Sequence, residues 1–251
     1  GNRNHRSLDT TLEEFKEVIE NAAGAGGNIL IPAFAVGRTQ DLIYWLGQLY
    51  HEGRLRGQKV YIDSPMAIRV SDVYERHHHL FNEDDPHFRR FVKDGWDKWL
   101  PGLTYTQSPE ESMALNRVTD GAIIIAGSGM CTGGRIMHHL KHKLWSKKNH
   151  VVIVGYQAIG TLGRLLVDRA PMVKIFGDEI AVRAQIHTLG GFSAHAGQDQ
   201  LIDWTSHFRS PRPRLFLVHG ELDAMQALQQ RFVREYRWDA YIPSMGEVIM
   251  L

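Results

Sequence analysis

Cysteine is nearly absent: Cys131 stands alone in 251 residues. One thiol excludes an internal disulfide framework and suits a reducing compartment. Long apolar runs are missing too, so no membrane-spanning helix is expected. The opening "GNRNHRSLDT" lacks the apolar core of a signal peptide. These absences lead to the expectation of a soluble, cytoplasmic protein with no membrane partner. Net charge is also small, with 29 basic against 28 acidic side chains and a balance of +1. Total charge therefore marks no nucleic-acid binder, although a neutral sum can hide a basic cleft.

What is present is ordinary globular material, 43% hydrophobic and 23% charged, enough for one large α/β core or two smaller ones. A first helix is predicted from a capping box of Thr10 and Glu13 and from Leu12, Phe15, Ile19 and Ala22 at helical spacing. The "GAGG" at Gly24–Gly27 stops it. Four strand–loop–helix units then follow, beginning at "NILIPAF", "QKVYIDSPMA", "GAIIIAGSGMCTGG" and "HVVIVGYQAIGTLG". Such repetition predicts a parallel sheet with helices on its faces and a ligand site beyond the strands' carboxyl ends.

The stretch Phe81 to Asp120 is less regular and reads as a helical excursion that packs on the sheet or covers the cleft. It contains a helix start at Ser108, Pro109 and Glu111. Beyond about residue 170, "MVKIFGDEIAVRAQIHTL" predicts a hairpin turning at Gly177-Asp178. A helix capped by Ser193, the strand "RPRLFLVHG", a helix over Leu222–Tyr236 and a short strand complete a β-α-β-α-β tail.

Several motifs are suited to chemistry. Gly127, Ser128 and Gly129 open "GSGMCTGG", a glycine-rich turn between strand and helix where backbone N–H groups can cradle phosphate. The alternative is a tight turn with no ligand. No Walker lysine follows these glycines, and the next strand ends "IVGYQ", without a dinucleotide site's acid. A nucleotide-binding enzyme is therefore disfavoured. Asp63 stands at a strand end in the predicted cleft and Ser64 beside it can donate to phosphate, or Asp63 can simply cap the next helix. His138 and His142 share a helix face at a spacing that can bind zinc. The metalloprotease glutamate is replaced by His139, however, so a polar face is the expected role. His77–His79 point to different faces and read as surface. His195, near a helix start, and His219, at a strand end, are site candidates that spacing alone does not separate from structural histidines.

Taken in order, "GNRNHR", "IPAFAVGRTQ", "YIDSPMA", "AGSGMCTGGRIMHHLKH", "VGYQAIGTLG", "HTLGGFSAHAGQDQL" and "LVHGE" resemble one family from Gly1 to about Gly246. It is the β-CASP branch of metallo-β-lactamase-fold ribonucleases, in particular the bacterial and archaeal proteins similar to the mRNA 3′-end processing endonuclease. The resemblance implies a zinc-dependent enzyme with two metal ions, in which RNA enters between a β-CASP domain and the nuclease domain holding it. By motif, His195 in "FSAH" would donate a proton to the leaving oxygen, and His219 in "VHGE" would bind one zinc. Asp63, Ser64, Gly127, Ser128, Gly129 and Arg38 would line the RNA backbone.

The family's "HxHxDH" signature is absent, so the zinc site is incomplete in this chain. The expectation is an α/β chain in two parts. Residues 1–185 would form the parallel-sheet β-CASP domain, and 186–251 the C-terminal β/α segment of the metallo-β-lactamase domain. The partners expected are RNA and a missing N-terminal half, without which the chain is inactive. Strands from Met172 onward would pair with that half. In its absence an open edge would favour a homodimer, a swap or disorder. The competing class is an RNA-backbone-binding module without catalysis.

Overall fold

A computed structural model describes residues 1–55, 57–80 and 95–250. Its largest element is a six-stranded sheet in the order β3-β2-β4-β1-β5-β8, with every neighbouring pair parallel. The strands are β1 (Ile29–Pro32), β2 (Lys59–Asp63), β3 (Leu103–Tyr105), β4 (Ala122–Ala126), β5 (His150–Ile153) and β8 (Gln185–Thr188). The predicted parallel α/β sheet is present. Three of the four inner strands, β4, β1 and β5, are buried at every position, as expected when helices cover both faces.

Alternation along the strands divides the core between the two faces. Ile29, Ile31, Ile123, Ile125 and Val152 meet one apolar cluster, with residues of α1 (Leu8–Ala25), α2 (Arg38–His51) and α3 (Pro65–Arg76). Leu30, Ile124, Val151 and Ile153 meet the other, with residues of α5 (Arg135–Lys143) and α6 (Leu162–Val167). The first helix is capped by Ser7, whose Oγ accepts the Thr10 N–H at 3.2 Å, so the predicted Thr10–Glu13 box is not used. Ser7 precedes Thr10 by one helical turn and reaches the orphan N–H first, while Glu13 pairs with Lys16 at 2.9 Å. Gly26 ends the helix in the left-handed region, as the "GAGG" signal required.

Of the irregular stretch from Phe81, residues 81–94 lie outside the described residues. Residues 95–99 are helical and bury Trp96 and Trp99 in the first cluster. Both indoles are satisfied, Trp96 Nε1 donating to Ser71 O at 3.1 Å and Trp99 Nε1 to Tyr44 O at 3.0 Å. Helix α4 (Pro109–Leu115) carries the predicted capping box of Ser108 and Glu111.

The hairpin pairs β6 (Met172–Ile175) with β7 (Asp178–Ala181), antiparallel. Its turn is Phe176-Gly177, one residue earlier than predicted, because these are the two positions with positive φ. The expectation that all strands from Met172 pair outside the chain is corrected here. β6 and β7 pair with each other, and β8 extends the large sheet alongside β5.

The chain divides into two compact units, Ser7–Phe192 and Gly1–Arg6 with Ser193–Leu251. The smaller has its own core of Ile202, Leu217, Leu228, Phe232, Trp238 and Ala240. It holds α7 (Gln198–Ser206), β9 (Leu215–Phe216), α8 (Leu222–Tyr236) and β10 (Ala240–Tyr241), with β9 and β10 paired in parallel. The first residues join this unit by capping α7: Arg3 O accepts the Gln198 N–H at 3.0 Å and Asn4 Oδ1 the Asp199 N–H at 2.9 Å. The predicted Ser193 cap is therefore displaced to Gly197, and Ser193 Oγ takes the His195 N–H at 3.2 Å.

At the β5–β8 edge, His150 Nδ1 and His187 Nε2 lie 3.0 Å apart with their rings stacked. His150 is buried, and its Nε2 has no partner among the described residues. Burial first, then the His187 charge, pull His150 down to about 4 from 6.5. Burial and the Arg169 charge lower His187 as well. The unfolded chain therefore binds a proton that the fold refuses. Stability contributed here is present above pH 6.5 and is lost as pH falls toward about 4. His150→Gln is expected to flatten this part of the thermal-midpoint profile. An unaltered slope between those pH values would remove the pair from the acid response.

Candidate functional site

Asp63 ends β2 in register with Ala126, the last residue of β4. Its side chain is 0% exposed, yet it is surrounded by donors. Thr106 Oγ1 and Arg135 Nη1 donate to its Oδ1 at 2.6 and 2.7 Å. Ser112 Oγ reaches Oδ2 at 2.6 Å, and His139 Nε2 lies 2.6 Å from the same oxygen. Burial alone would raise this carboxyl. The hydrogen bonds from His139, Ser112, Thr106 and Arg135 outweigh it and bring Asp63 to about 2.

The donors come from separate elements, so one carboxylate ties together the loop after β3, α4 and α5. Arg135, the first residue of α5, also donates to Thr106 O and Gln107 O, both at 2.9 Å. His139 turns its other ring nitrogen to Asn116 Oδ1 at 3.1 Å. Asp63 is not the helix cap weighed from the sequence. Ser64 has that role, its Oγ accepting the Ala67 N–H at 3.3 Å ahead of Pro65 at the first helical position.

The glycine loop Gly127–Gly134 leaves β4 and enters α5. Gly134 has φ 74°, and a Cβ there would sit 2.4 Å from Gly127 O, so the tight turn admits no side chain. At Gly129 a Cβ would come within 2.9 Å of the Phe34 ring. The loop is braced from within: Ser128 Oγ accepts the Thr132 N–H at 2.9 Å, and Gly127 O accepts the Ile136 N–H at 3.1 Å. Gln157 Nε2 donates to Gly129 O at 2.9 Å, linking it to the loop after β5. Several N–H groups counted on for a phosphate cradle thus already have partners.

Cys131 within this loop is buried, and burial pushes its thiol up to about 12, which leaves it inert as a nucleophile.

The large unit brings Asp63, Ser64, Gly127, Ser128 and Gly129 to the carboxyl ends of two adjacent strands. Arg38 starts α2, beyond β1, which borders β4 on its other side. Its guanidinium pairs with Asp41 at 3.0 Å and lies 5.9 Å from the Phe192 ring centroid. Burial lowers the Arg38 pKa, and the Asp41 charge opposes this.

His195 and His219 belong to the smaller unit and are both exposed. His219 has φ 59° and closes the stretch after β9. His138 packs on the Phe176 ring at 4.7 Å, and His142 is exposed. No group of three or more His, Cys, Asp or Glu suited to a metal exists among the described residues.

Sequence reading passed over Arg135, His139, Thr106 and Ser112. For His139 a signal was available. Ile136, His139, Leu140 and Lys143 are the buried residues of α5, spaced as one helical face, so His139 sits on the apolar side while His138 and His142 do not.

The fold is a parallel α/β domain whose polar network and glycine loop lie at the carboxyl ends of the strands, where open sheets of this class ordinarily bind ligands. Residues 39–166 match the Beta-Casp domain, and residues 179–243 match the Zn-dependent metallo-hydrolase RNA specificity domain. The chain belongs to the β-CASP family of metallo-β-lactamase-fold ribonucleases.

Among its relatives is Ribonuclease TTHA0252 of Thermus thermophilus, 45% identical over 230 residues, 91% of this chain and 51% of the relative. The RNase J-like protein of Methanocaldococcus jannaschii is 28% identical over 238 residues, 95% of this chain and 52% of its own. Transcription termination factor FttA of Pyrococcus horikoshii is 31% identical over 229 residues, 86% of this chain and 34% of its own. The chain thus spans about half, or less, of the length of these curated relatives.

Proposed function

We propose that this chain is the RNA-handling portion of a cytoplasmic, zinc-dependent ribonuclease that hydrolyses phosphodiester bonds in RNA processing or decay. Residues 1–185 serve as its β-CASP domain and 186–251 as the C-terminal segment of its metallo-β-lactamase domain. The observation that carries the reading is Arg135 fixed by Asp63 at the start of α5, directly after the glycine loop. With the Arg135 guanidinium already held by Asp63, Thr106 O and Gln107 O, the start of α5 and the loop N–H groups not bonded within the turn favour an anionic backbone there. Ser64, Gly127, Ser128, Gly129 and Arg38 contact the RNA backbone in this proposal. Asp63 has a changed part: a buried carboxylate with four donors does not touch phosphate, and it holds Arg135 and His139 in place.

His195 is the proposed proton donor to the leaving oxygen, and its exposed ring leaves it open to RNA. His219 is proposed as one zinc ligand. A catalytic zinc takes about three protein ligands. The described residues around His219 do not supply them, so they do not fit a complete zinc site. The chain by itself is expected to be inactive.

Labelled single-stranded RNA tests the reading. Binding is expected at low salt, with log affinity falling by about 0.7 per contacted phosphate for each decade of salt. Absence of binding at low salt would sink it. Zinc-dependent cleavage by this chain, lost in His219→Ala, would overturn the expected inactivity. The second reading, a binding module without catalysis, draws on the same missing ligand cluster. It gains if joining the chain to a relative's zinc-bearing half restores no cleavage.

A further inference from the structure

We infer that the smaller unit carries a stacking surface for single-stranded RNA, built on Trp204, Phe208, Arg209 and Arg212. The inference rests on the RNA reading above and deepens it by naming a surface that the glycine-loop network does not include. Trp204 is 63% exposed in the last turn of α7, although the unit's core closes without it. Its ring meets Phe208 edge-on at 5.3 Å. Asp203, Trp204, His207 and Phe208 line a shallow concavity of about 460 Å³.

The aromatic surface continues inward, Phe208 meeting Trp238 at 5.9 Å. Arg212 lies 5.3 Å from the Trp238 ring centroid and 5.5 Å from that of Tyr236. Its Nη1 donates to Tyr236 O at 2.7 Å. Base faces stack on rings and guanidinium planes of this kind whatever their sequence.

Charge favours the same ligand. The stretch His207–Arg214, "HFRSPRPR", holds three arginines and no acid. Arg209, Arg212 and Arg214 form no ion pair among the described residues, whereas Arg231 and Arg234 of the same unit are paired with carboxylates. Pro211 and Pro213 restrict the backbone between these arginines, so less entropy is lost when a ligand orders it. Asp203 opposes phosphate on its side of the concavity. Bases therefore go over Trp204 and Phe208, and phosphates toward the arginines. A duplex hides its base faces and does not suit this surface.

The test uses the whole chain and fluorescein-labelled oligouridylate, read by anisotropy across a salt series. Trp204→Ala is expected to weaken binding by about tenfold with an unchanged salt slope. Trp204→Phe should restore most of the affinity. Arg209→Gln should lower the salt slope by about 0.7, a change that a merely structural side chain would not produce. In the wild type, 5-iodouridine crosslinks should fall on the peptide Trp204–Arg212. Unchanged affinity in Trp204→Ala, or crosslinks confined to other peptides, overturns this inference and leaves the proposed function standing. No binding by the wild type at low salt overturns both.

Discussion

Asp63→Ala is expected to destabilise the protein by about 3–5 kcal/mol, the usual cost of removing one member of a buried ion pair. The substitution strips an acceptor from Arg135, His139, Thr106 and Ser112 at once. Each buried donor left without a partner costs about 1–3 kcal/mol, and the costs do not add because the four share one carboxylate. Asp63→Asn keeps the shape and one acceptor oxygen, so its loss should be smaller. Urea unfolding at neutral pH measures both.

The pH dependence has a definite sign. Asp63 is held at about 2, below its ordinary 3.8, so its contribution is complete above 3.8 and fades as pH falls toward about 2. Wild type should lose stability through that window, and Asp63→Asn should not show this component. A change within about 0.5 kcal/mol for Asp63→Ala, as at ordinary surface sites, would show that the network does not brace the fold.

His195→Ala should slow RNA cleavage by about 10²–10⁴-fold, the range for losing a positioned proton donor. The measurement needs a nuclease-competent protein, for instance a chimera with the remaining half of the Thermus thermophilus relative, of which this chain spans 51%. Binding of RNA should change little, since the lost interaction strengthens only as the leaving oxygen gains charge. Leaving-group chemistry separates a proton donor from a positioning residue. With sulfur at the bridging position, the thiolate departs unprotonated, and the variant should recover most of the wild-type rate. An equal defect on both substrates would rule out proton donation by His195. If His219 binds zinc as proposed, His219→Ala should abolish cleavage of both substrates, because a better leaving group does not repair the loss of a metal ligand.

Local sequence order carried much of the fold. The run "AIIIA" reads as a buried parallel strand because covered strands are apolar on both faces. Ser108, Pro109 and Glu111 sit within one turn, so their capping box needs no tertiary help. The places where a nearby competitor existed came out differently. Ser7 displaced Thr10 as a cap, and Arg3 with Asn4 capped α7 from the far end of the chain.

The site divides along the same line. Sequence alone determined the parallel α/β class and the glycine turn after β4, and its ordered motifs are the ground on which His195 and His219 are proposed. These are properties of contiguous residues or of ordered motifs. Only the tertiary structure decided that Asp63 binds Arg135 and His139, which lie 72 and 76 positions away. It also decided that β8 closes the large sheet and that Trp204 and Arg212 lie on the same folded unit. The reason is physical. A capped turn is satisfied by its neighbours, but a buried carboxylate must find donors wherever the packed chain brings them, and no local pattern records which those are.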